Sequence, residues 1–435
     1  MTDYKALYAK KVISAEELAK QVESGWILGM DTAPSQAPAI MNAIAARVKS
    51  SDIKGVQVQT LLDAYPFEFY TDPDMFGKMT GYSWFSSGYA RKAINGGWAD
   101  LLPTYYRDIP RHIRAEYEYD AFCIEVSPMD SHGYFSLALN GSYAEAMIDK
   151  AKRVFVEVNE NQPRCLCGTQ LHVSQVDAIV EYNHELPVLP PVAIDEVSQT
   201  IGNLIAEQIP DGACIQLGIG AIPDATGMAL KSKHDLGIHT EMFTDSMVEL
   251  IECGAVNNSK KQIHRGKSVT TFAYGSKRIY NYVDDNPAIE ILPVDYVNNP
   301  EVICKNDNMI SINAAIEVDF FGQVCAESVG TKHMSGSGGQ IDFVRGACQS
   351  KGGKSFIAFT STAKGGTISK IKPILTPGAV CTTSKNDVDY IVTEYGIAHM
   401  RGRSLGERTR QLIAIAHPDF RDELSFEAKK RGIII

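Results

Sequence analysis

The sequence predicts an α/β fold of two open, mainly parallel domains. Apolar segments with strand composition alternate with helix-like segments along the chain, and this alternation is typical of mainly parallel sheets. The chain has 435 residues, 44% of them hydrophobic and 22% charged, which suits a globular protein of more than one domain. The clearest predicted strands are GVQVQTLL, AFCIEVS, RVFVEVN, ACIQLGI, SVTTFAYG, MISINAAIEVD, KSFIAFT and YIVTEYG.

The first well-marked helix is predicted in SAEELAKQVESG. Ser14 and Glu17 have the spacing of a capping box, and Gly25 is a stop signal. Further along, the Pro-rich segment HELPVLPPVAIDEV interrupts the pattern and marks a boundary. We therefore expect an N-terminal domain over residues 1–190 and a C-terminal domain over residues 191–435.

The two predicted domains resemble each other. SGWILGMDTAPSQAPAIMNAI at 24–44 and DGACIQLGIGAIPDATGMALK at 211–231 both pass from a Gly through a short apolar strand and a Gly/Pro loop into a periodic helix. A duplicated α/β unit would explain this, although short strand–loop–helix units also resemble one another by chance. With one sheet in each domain, a site is expected in the cleft between them.

Composition excludes several classes of partner. A net charge of −10 argues against nucleic acid binding. The N-terminus lacks the apolar core of a signal peptide, and no run of about 18 apolar residues predicts a membrane span. Nine scattered cysteines suit reduced thiols of the cytoplasm, and the CxC pair Cys165 and Cys167 is weak as a metal site.

The segment LGIGAIPDA places Gly218 and Gly220 at a turn between a predicted strand and a predicted helix. Glycines let backbone N–H groups approach a ligand there, near a helix N-terminus that favours negative charge. A dinucleotide-binding turn requires GxGxxG, but Pro223 occupies the third Gly position. This argues against a nucleotide-dependent oxidoreductase.

A second glycine-rich loop, MSGSGGQIDFVRGA, contains Gly336, Gly338 and Gly339. This loop is equally consistent with ligand binding and with a flexible turn. The segment STAKGGTISKI adds Lys364, which suits a phosphate or pantetheine contact but also a solvated hairpin. Neither segment is a P-loop.

The sequence lacks the common motifs of metal-dependent and serine-dependent catalysis. None of the ten histidines occurs in HExxH, and no GxSxG is present, so neither a metal centre nor a serine nucleophile is predicted. His239 is assigned a structural role. The remaining nucleophile is a carboxylate, Glu241 in GIHTEMFTD, about 20 residues beyond the first glycine loop, the span of one crossover helix and a strand. From the residues alone, a structural glutamate is still favoured at this position.

Several ordered segments together resemble the family I coenzyme A transferases of the acetyl-CoA hydrolase/transferase type, especially 4-hydroxybutyrate and butyrate:acetate CoA-transferases. They lie between residues 216 and 425. They are QLGIGAIPDA, LGIHTEMFTD, PVDYVNNPEVI, INAAIEVDFFGQ, GSGGQIDFVRGA, STAKGGTISKI, DVDYIVTEYGIAHMRGRS and IAHPDFRDEL.

The resemblance implies a fold of the NagB/RpiA/CoA-transferase type and makes Glu241 the catalytic residue. It implies a ping-pong reaction through an acyl-glutamyl anhydride and a glutamyl-CoA thioester, with no cofactor or metal, since coenzyme A is a substrate. Ile219 and Gly339 are the implied oxyanion donors. The implied CoA-binding residues are Gly218, Ile219, Gly220, Ala221, Ile222, Asn298, Gly336, Gly338, Gly339 and Lys364.

The acids that this enzyme would use stay open. Met30, in LGMDTAPSQAPA, either shapes an acyl pocket or belongs to the core. Butyrate, 4-hydroxybutyrate, acetate, succinate and itaconate are all candidates. An acyl-CoA hydrolase is the alternative enzyme, and a CoA-ester-binding sensor without turnover is the alternative outside catalysis. The family also implies a homodimer or a higher homo-oligomer.

Overall fold

The computed structural model describes residues 3–166 and 168–435. Two compact units divide the chain: residues 1–190 with 270–296, and residues 191–269 with 297–435. The segment 270–296, which the linear boundary assigned to the C-terminal domain, groups with the first unit because its backbone pairs with residues 139–142. The amide of Ala273 donates to Leu139 O at 2.8 Å, and that of Gly141 to Thr271 O at 2.8 Å.

The first unit is built on a seven-stranded parallel sheet in the order β4-β3-β2-β1-β5-β6-β7. All six residues of the inner strand β5 are buried, as expected for a parallel sheet covered on both faces. Its strands are Ile27–Met30 (β1), Val56–Thr60 (β2), Met79–Ser83 (β3), Asp100–Leu101 (β4), Ala121–Val126 (β5), Val154–Val158 (β6) and Ala178–Glu181 (β7).

The second unit has a six-stranded sheet in the order β9-β8-β10-β11-β12-β13. Only the last pair is antiparallel. Its strands are Cys214–Leu217 (β8), Gly237–Ile238 (β9), Met309–Ala314 (β10), Lys354–Ala358 (β11), Tyr390–Thr393 (β12) and Gly396–His399 (β13).

Helices connect these strands and cover the sheets. The α-helices in the described residues are Tyr4–Ala9 (α1), Ala15–Ala19 (α2), Pro38–Lys49 (α3), Glu68–Thr71 (α4), Gly88–Gly96 (α5), Ile109–Glu116 (α6), Ala144–Lys150 (α7), Glu196–Glu207 (α8), Ala221–Ala229 (α9), Asp245–Glu252 (α10), Lys277–Val283 (α11), Val294–Val297 (α12), Pro300–Ile303 (α13), Gln340–Gln349 (α14), Leu405–Ala414 (α15) and Pro418–Lys430 (α16). None of them combines the length and the apolar character needed to span a bilayer.

Smaller elements complete the units. The short 3₁₀ helices are Pro73–Met75, Tyr106–Asp108, Val173–Gln175 and Leu230–Ser232. The remaining strands are Tyr134–Ser136, Gln170–His172, Met242–Phe243, Ser268–Thr270, Phe272–Ala273, Ile289–Ile291, Glu317–Asp319, Val324–Cys325, Ser328–Val329, Lys332–His333, Thr362–Ala363, Ile368–Ser369 and Ile371–Lys372.

The predicted α/β class with mainly parallel sheets is confirmed. The first predicted helix is shorter than expected: Ser14 caps it by accepting the amide of Glu17 at 3.1 Å, but it ends at Ala19, well before Gly25. There the α-helical pattern gives way to two 3₁₀-type bonds, from the amide of Gln21 to Leu18 O and from that of Val22 to Ala19 O, which form the tighter turn that is common at helix ends.

The two similar segments do form the same strand–loop–helix arrangement, β1 to α3 and β8 to α9. In each unit the strand order changes direction beside that strand, between β1 and β5 and between β8 and β10. Open α/β sheets bind ligands at the carboxyl ends of strands at such switch points. The loop GIGAIP therefore lies where the fold favours a ligand.

Candidate active site

Glu241 lies just beyond the carboxyl end of β9. The amide of His239 donates to Ile215 O at 3.2 Å and the amide of Thr240 to Val269 O at 2.9 Å, so the backbone is held in place up to the residue before Glu241. Glu241 itself is half-buried. The sequence thus presents one carboxyl group on a rigid sheet edge.

Two groups from distant parts of the second unit donate hydrogen bonds to this carboxylate. The side-chain amide of Asn298 donates from Nδ2 to Oε2 at 2.6 Å, and the backbone N–H of Gly339 is a second donor. Burial raises the pKa of Glu241 to about 7, while the bonds from Asn298 and Gly339 oppose that rise. A carboxyl group with this pKa is substantially ionised near neutral pH and can act as a nucleophile there.

Residue 339 must be a glycine because of the space available and not because of its backbone conformation. Its φ of −98° and ψ of 11° are accessible to any residue. A Cβ atom at this position would, however, overlap Glu241 Oε2 and Asn298 Nδ2. A glycine is therefore required for the close approach of the backbone amide to the carboxylate.

Both glycine-rich loops and Glu241 lie at one edge of the second sheet. β8 and β9 run parallel, so the loop after Leu217 and the residues after Ile238 leave the sheet on the same side. The amide of Gly218 donates to Ile312 O at 3.0 Å on β10, and the side chain of Gln340 donates to Ala314 O at 2.8 Å, at the end of that strand. Both glycine-rich loops and the segment of Glu241 therefore lie at the carboxyl ends of neighbouring strands.

The first glycine loop offers an unused backbone donor. Gly220 has a φ of 116°, a conformation that favours glycine, and it precedes α9. Ile219 is 54% exposed, and within residues 3–166 and 168–435 its amide has no hydrogen-bond acceptor. An exposed amide beside a helix N-terminus can stabilise an oxyanion.

Family models match most of the chain. The acetyl-CoA hydrolase/transferase N-terminal domain matches residues 1–190, and the acetyl-CoA hydrolase/transferase C-terminal domain matches residues 275–428. The chain belongs to the acetyl-CoA hydrolase/transferase family.

Relatives within this family match over the whole length. A succinyl-CoA:cyclohexane-1-carboxylate CoA transferase of Geobacter metallireducens is 47% identical over 99% of this chain and 98% of the relative. The 4-hydroxybutyrate coenzyme A transferase of Clostridium kluyveri is 44% identical over 99% and 100%. The crystal structure of RipA from Yersinia pestis superposes with a TM-score of 0.94 at 39% identity, covering 100% of both chains. The family predicted from the sequence is confirmed.

The other predicted site residues of this family member lie in different settings. Asn298, predicted to contact CoA, is fully buried and is bonded to Glu241. Lys364 is exposed in the turn between the paired strands Thr362–Ala363 and Ile368–Ser369. Met30 is fully buried in the core of the first unit and is a packing residue in this structure. The pocket role of Met30 and the CoA contacts of Asn298 and Lys364 stay predictions.

The remaining predicted CoA-binding residues flank the same two loops. Gly218, Gly220, Ala221 and Ile222 are half-buried around the exposed Ile219. In the second loop Gly336 is buried, and Gly338 adopts a φ of 50° before Gly339. Both loops are rich in glycine and therefore present mainly backbone groups at the carboxyl ends of the strands, and their CoA contacts stay predictions.

His239 lies in a structural setting in this family member. It is fully buried, and desolvation together with the charge of Lys261 lowers its pKa to about 3. Its Nε2 lies 2.8 Å from the carbonyl oxygen of Val297. The geometry therefore agrees with a structural assignment.

Sequence reasoning missed a buried acidic network in the first unit. Glu125 on β5 and Glu157 on β6 are direct register partners, and His184 Nε2 lies 2.5 Å from Glu125 Oε2. Within the described residues, these three side chains are the group close enough to hold a metal ion, with donor atoms within 4.8 Å. His184 Nε2 is hydrogen-bonded to Glu125 and lies 3.9 Å from Glu157 Oε1, so the three side chains form one electrostatic network. The matching strands CIEV and FVEV were the available signal.

Proposed function

We propose that this protein transfers coenzyme A reversibly between a short-chain acyl-CoA and a carboxylic acid, with Glu241 as the nucleophile. The observation that carries this proposal is a half-buried carboxylate held by Asn298 and by the amide of Gly339, with a pKa near 7. Full-length relatives named as CoA transferases support the reaction class.

The reaction is a ping-pong sequence of carbonyl substitutions. Glu241 attacks the thioester carbonyl, the C–S bond breaks, and CoA leaves as a thiolate while an acyl-glutamyl anhydride forms. The thiolate then attacks the γ-carbonyl of Glu241, which releases the first acid and leaves a glutamyl-CoA thioester. An acceptor carboxylate reverses both steps and departs as its CoA ester.

Each step passes through a tetrahedral oxyanion. The amides of Ile219 and Gly339 are the proposed donors to this oxygen, and a single such donor is typically worth about 3 kcal/mol. When Glu241 itself becomes the acyl group, the N–H of Gly339 already lies at its oxygen. The loops thereby serve both halves of the reaction without a cofactor or metal.

We propose short-chain acids as substrates. Relatives are named for 4-hydroxybutyrate, butyrate with acetate, and succinate, and these acids are the first to be tested here, followed by itaconate. Each has a carboxylate that can attack a glutamyl thioester.

Transfer and hydrolysis are separated by the dependence on an acceptor. Purified protein is incubated with butyryl-CoA, with and without acetate, and free thiol and CoA esters are measured. Transfer predicts acetyl-CoA that forms only with acetate and little free CoA. Full-rate thiol release without acetate would instead establish an acyl-CoA hydrolase.

The covalent intermediate is tested by trapping. Incubation with acyl-CoA alone, followed by borohydride or hydroxylamine and peptide mass mapping, is expected to modify the peptide that contains Glu241. Modification only at another peptide would contradict the mechanism. CoA-ester binding without any trapping or turnover would point to a sensor.

We also propose a cytoplasmic homodimer or higher homo-oligomer. The eight cysteines in the described part of the chain are free thiols, as is usual in a reducing compartment. Light scattering after size exclusion tests the oligomeric state.

A further inference from the structure

Two chain segments of the second unit are linked twice beside the proposed nucleophile. His239 Nε2 lies 2.8 Å from Val297 O, and Asn298 Nδ2 lies 2.6 Å from Glu241 Oε2. His239 and Glu241 belong to one segment, and Val297 and Asn298 belong to the other. The two contacts and the intervening backbone therefore close a ring that includes the carboxylate.

The direction of the imidazole bond follows from its partner. A carbonyl oxygen only accepts, so Nε2 of His239 carries the proton and donates it. The residue is fully buried and its pKa is lowered to about 3, so the imidazole is neutral throughout the working pH range. Protonation changes near neutral pH therefore do not affect this hydrogen bond.

The same imidazole packs beside α14, the helix that begins directly after Gly339. Its ring centroid lies 6.3 Å from that of Phe343 on α14. The amide of Phe343 donates to Gly339 O at 3.0 Å, within the first turn of this helix. His239 thus contacts the segment of Asn298 and the first turn that follows Gly339.

We infer that His239 is a positioning residue for Glu241, acting through the backbone of Val297 to hold the amide of Asn298 against the carboxylate. This inference rests on the proposed CoA transfer by Glu241. Removing the imidazole donor would leave Val297 O buried without a partner, and the segment 297–298 would shift to find one. The carboxylate would then lose the donor that orients it.

The test compares three substitutions at one position. His239→Leu removes the donor, while His239→Gln places an amide near the former Nε2 and His239→Asn places one too close to the backbone to reach Val297. We expect kcat to fall on the order of 100-fold for Leu and Asn, with KM for acyl-CoA changed less than about threefold. His239→Gln should recover activity to within about tenfold of the wild type.

A double-mutant cycle with Asn298→Ala identifies the route of the effect. If His239 acts through Asn298, the double variant His239→Leu/Asn298→Ala should lose no more activity than Asn298→Ala alone. Both single variants should also move the acidic limb of kcat/KM to higher pH, because ionised Glu241 loses a donor. The two groups that contact this carboxylate and lower its pKa are the side chain of Asn298 and the amide of Gly339.

The outcomes separate two failures. Wild-type protein without CoA transfer to any acid would overturn the proposed function and this inference with it. An active wild type with additive losses in the cycle, an unmoved pH profile, or equal activities of the Gln and Asn variants would overturn the positioning role alone. If His239→Leu fails to fold, as judged by circular dichroism, the comparison of Gln with Asn decides the question.

Discussion

At the scale of single residues, Glu241 is distinguished by its environment and not by its local sequence. Its carboxyl group is half-buried, and two amide donors favour its ionised form against the effect of burial. This balance leaves the pKa near 7, where a carboxylate combines ionisation with nucleophilic strength. We therefore expect the rate of CoA transfer to depend on the identity of residue 241 and on pH.

The first prediction concerns the identity of this side chain. Glu241→Gln cannot form an anhydride, so kcat should fall on the order of 1,000-fold or more. Glu241→Asp keeps the carboxylate but withdraws it by about 1 Å, and we expect a loss on the order of 100-fold. Steady-state CoA transfer measures both, with circular dichroism to verify folding, and unchanged rates would exclude Glu241 as the nucleophile.

The second prediction is a pH profile. Because only the ionised form of the proposed nucleophile Glu241 can attack, kcat/KM for acyl-CoA should rise with pH and level off above a pKa near 7. Asn298→Ala removes a donor to the ionised form and should move this limb to higher pH. A profile that is flat from pH 5.5 to 8.5 in the wild type would contradict the assignment.

At the scale of elements, the start of α14 brings its own backbone to the carboxylate. Gly339 caps the helix, and the absence of a side chain there allows the amide to approach Glu241 and Asn298. Similarly, in the loop before α9 the amide of Ile219 has no acceptor among the described residues, and Gly220 adopts a conformation that favours glycine. Two helix N-termini thus supply the proposed donors, and their sequences are constrained by space and by φ, respectively.

The third prediction tests the spatial constraint. In Gly339→Ala the new methyl group overlaps Glu241 Oε2 and Asn298 Nδ2, so the carboxylate must move and kcat should fall on the order of 100-fold. Gly88→Ala is the matched control, since a Cβ there meets nothing within 4 Å at the start of α5. Equal activity of the two variants would show that the close approach of Gly339 is unimportant.

At the scale of the whole molecule, composition and periodicity predicted the class of fold because the inner strands, such as β5 and β6, are apolar-rich runs buried on both faces. They did not predict that 270–296 pairs with residues 139–142, since that contact joins distant segments. For the site, spacing alone favoured a structural Glu241, and only the resemblance selected it. The bond from Asn298 to Glu241 spans 57 positions, which no local pattern encodes.

The network of Glu125, Glu157 and His184 links the pH to the stability of the first unit. Glu157 accepts the amides of Ala39 at 3.2 Å and Ile40 at 2.9 Å at the start of α3, and His184 bonds to Glu125. Burial and the neighbouring charge of Glu125 raise the pKa of Glu157 to about 8. Burial lowers the pKa of His184, but the hydrogen bond to Glu125 and the charge of Glu125 outweigh this effect, so its pKa is raised. Burial and the charges of Glu125 and Glu157 also raise the pKa of the neighbouring Tyr65.

The fourth prediction follows from the sign of these shifts. Between its ordinary pKa and about 8, Glu157 keeps in the folded state a proton that the unfolded chain has lost, so the free energy of unfolding decreases as pH rises. His184 acts in the same direction above its ordinary pKa. Glu157 alone should contribute about 1 kcal/mol per pH unit to this slope between pH 6 and 8, in addition to the contributions of other buried carboxyl groups with raised pKa values, such as Glu241 and Asp31.

Substitution shows whether this slope belongs to the network. Glu157→Gln should weaken the pH dependence of the urea midpoint between pH 6 and 8, because the position no longer titrates, even though one backbone amide loses its acceptor and the variant is less stable throughout. Glu23→Gln, at an exposed position, should leave the wild-type slope unchanged. A Glu157→Gln variant with the full wild-type slope would show that other groups set the pH dependence, since no proton would remain at position 157 to produce it.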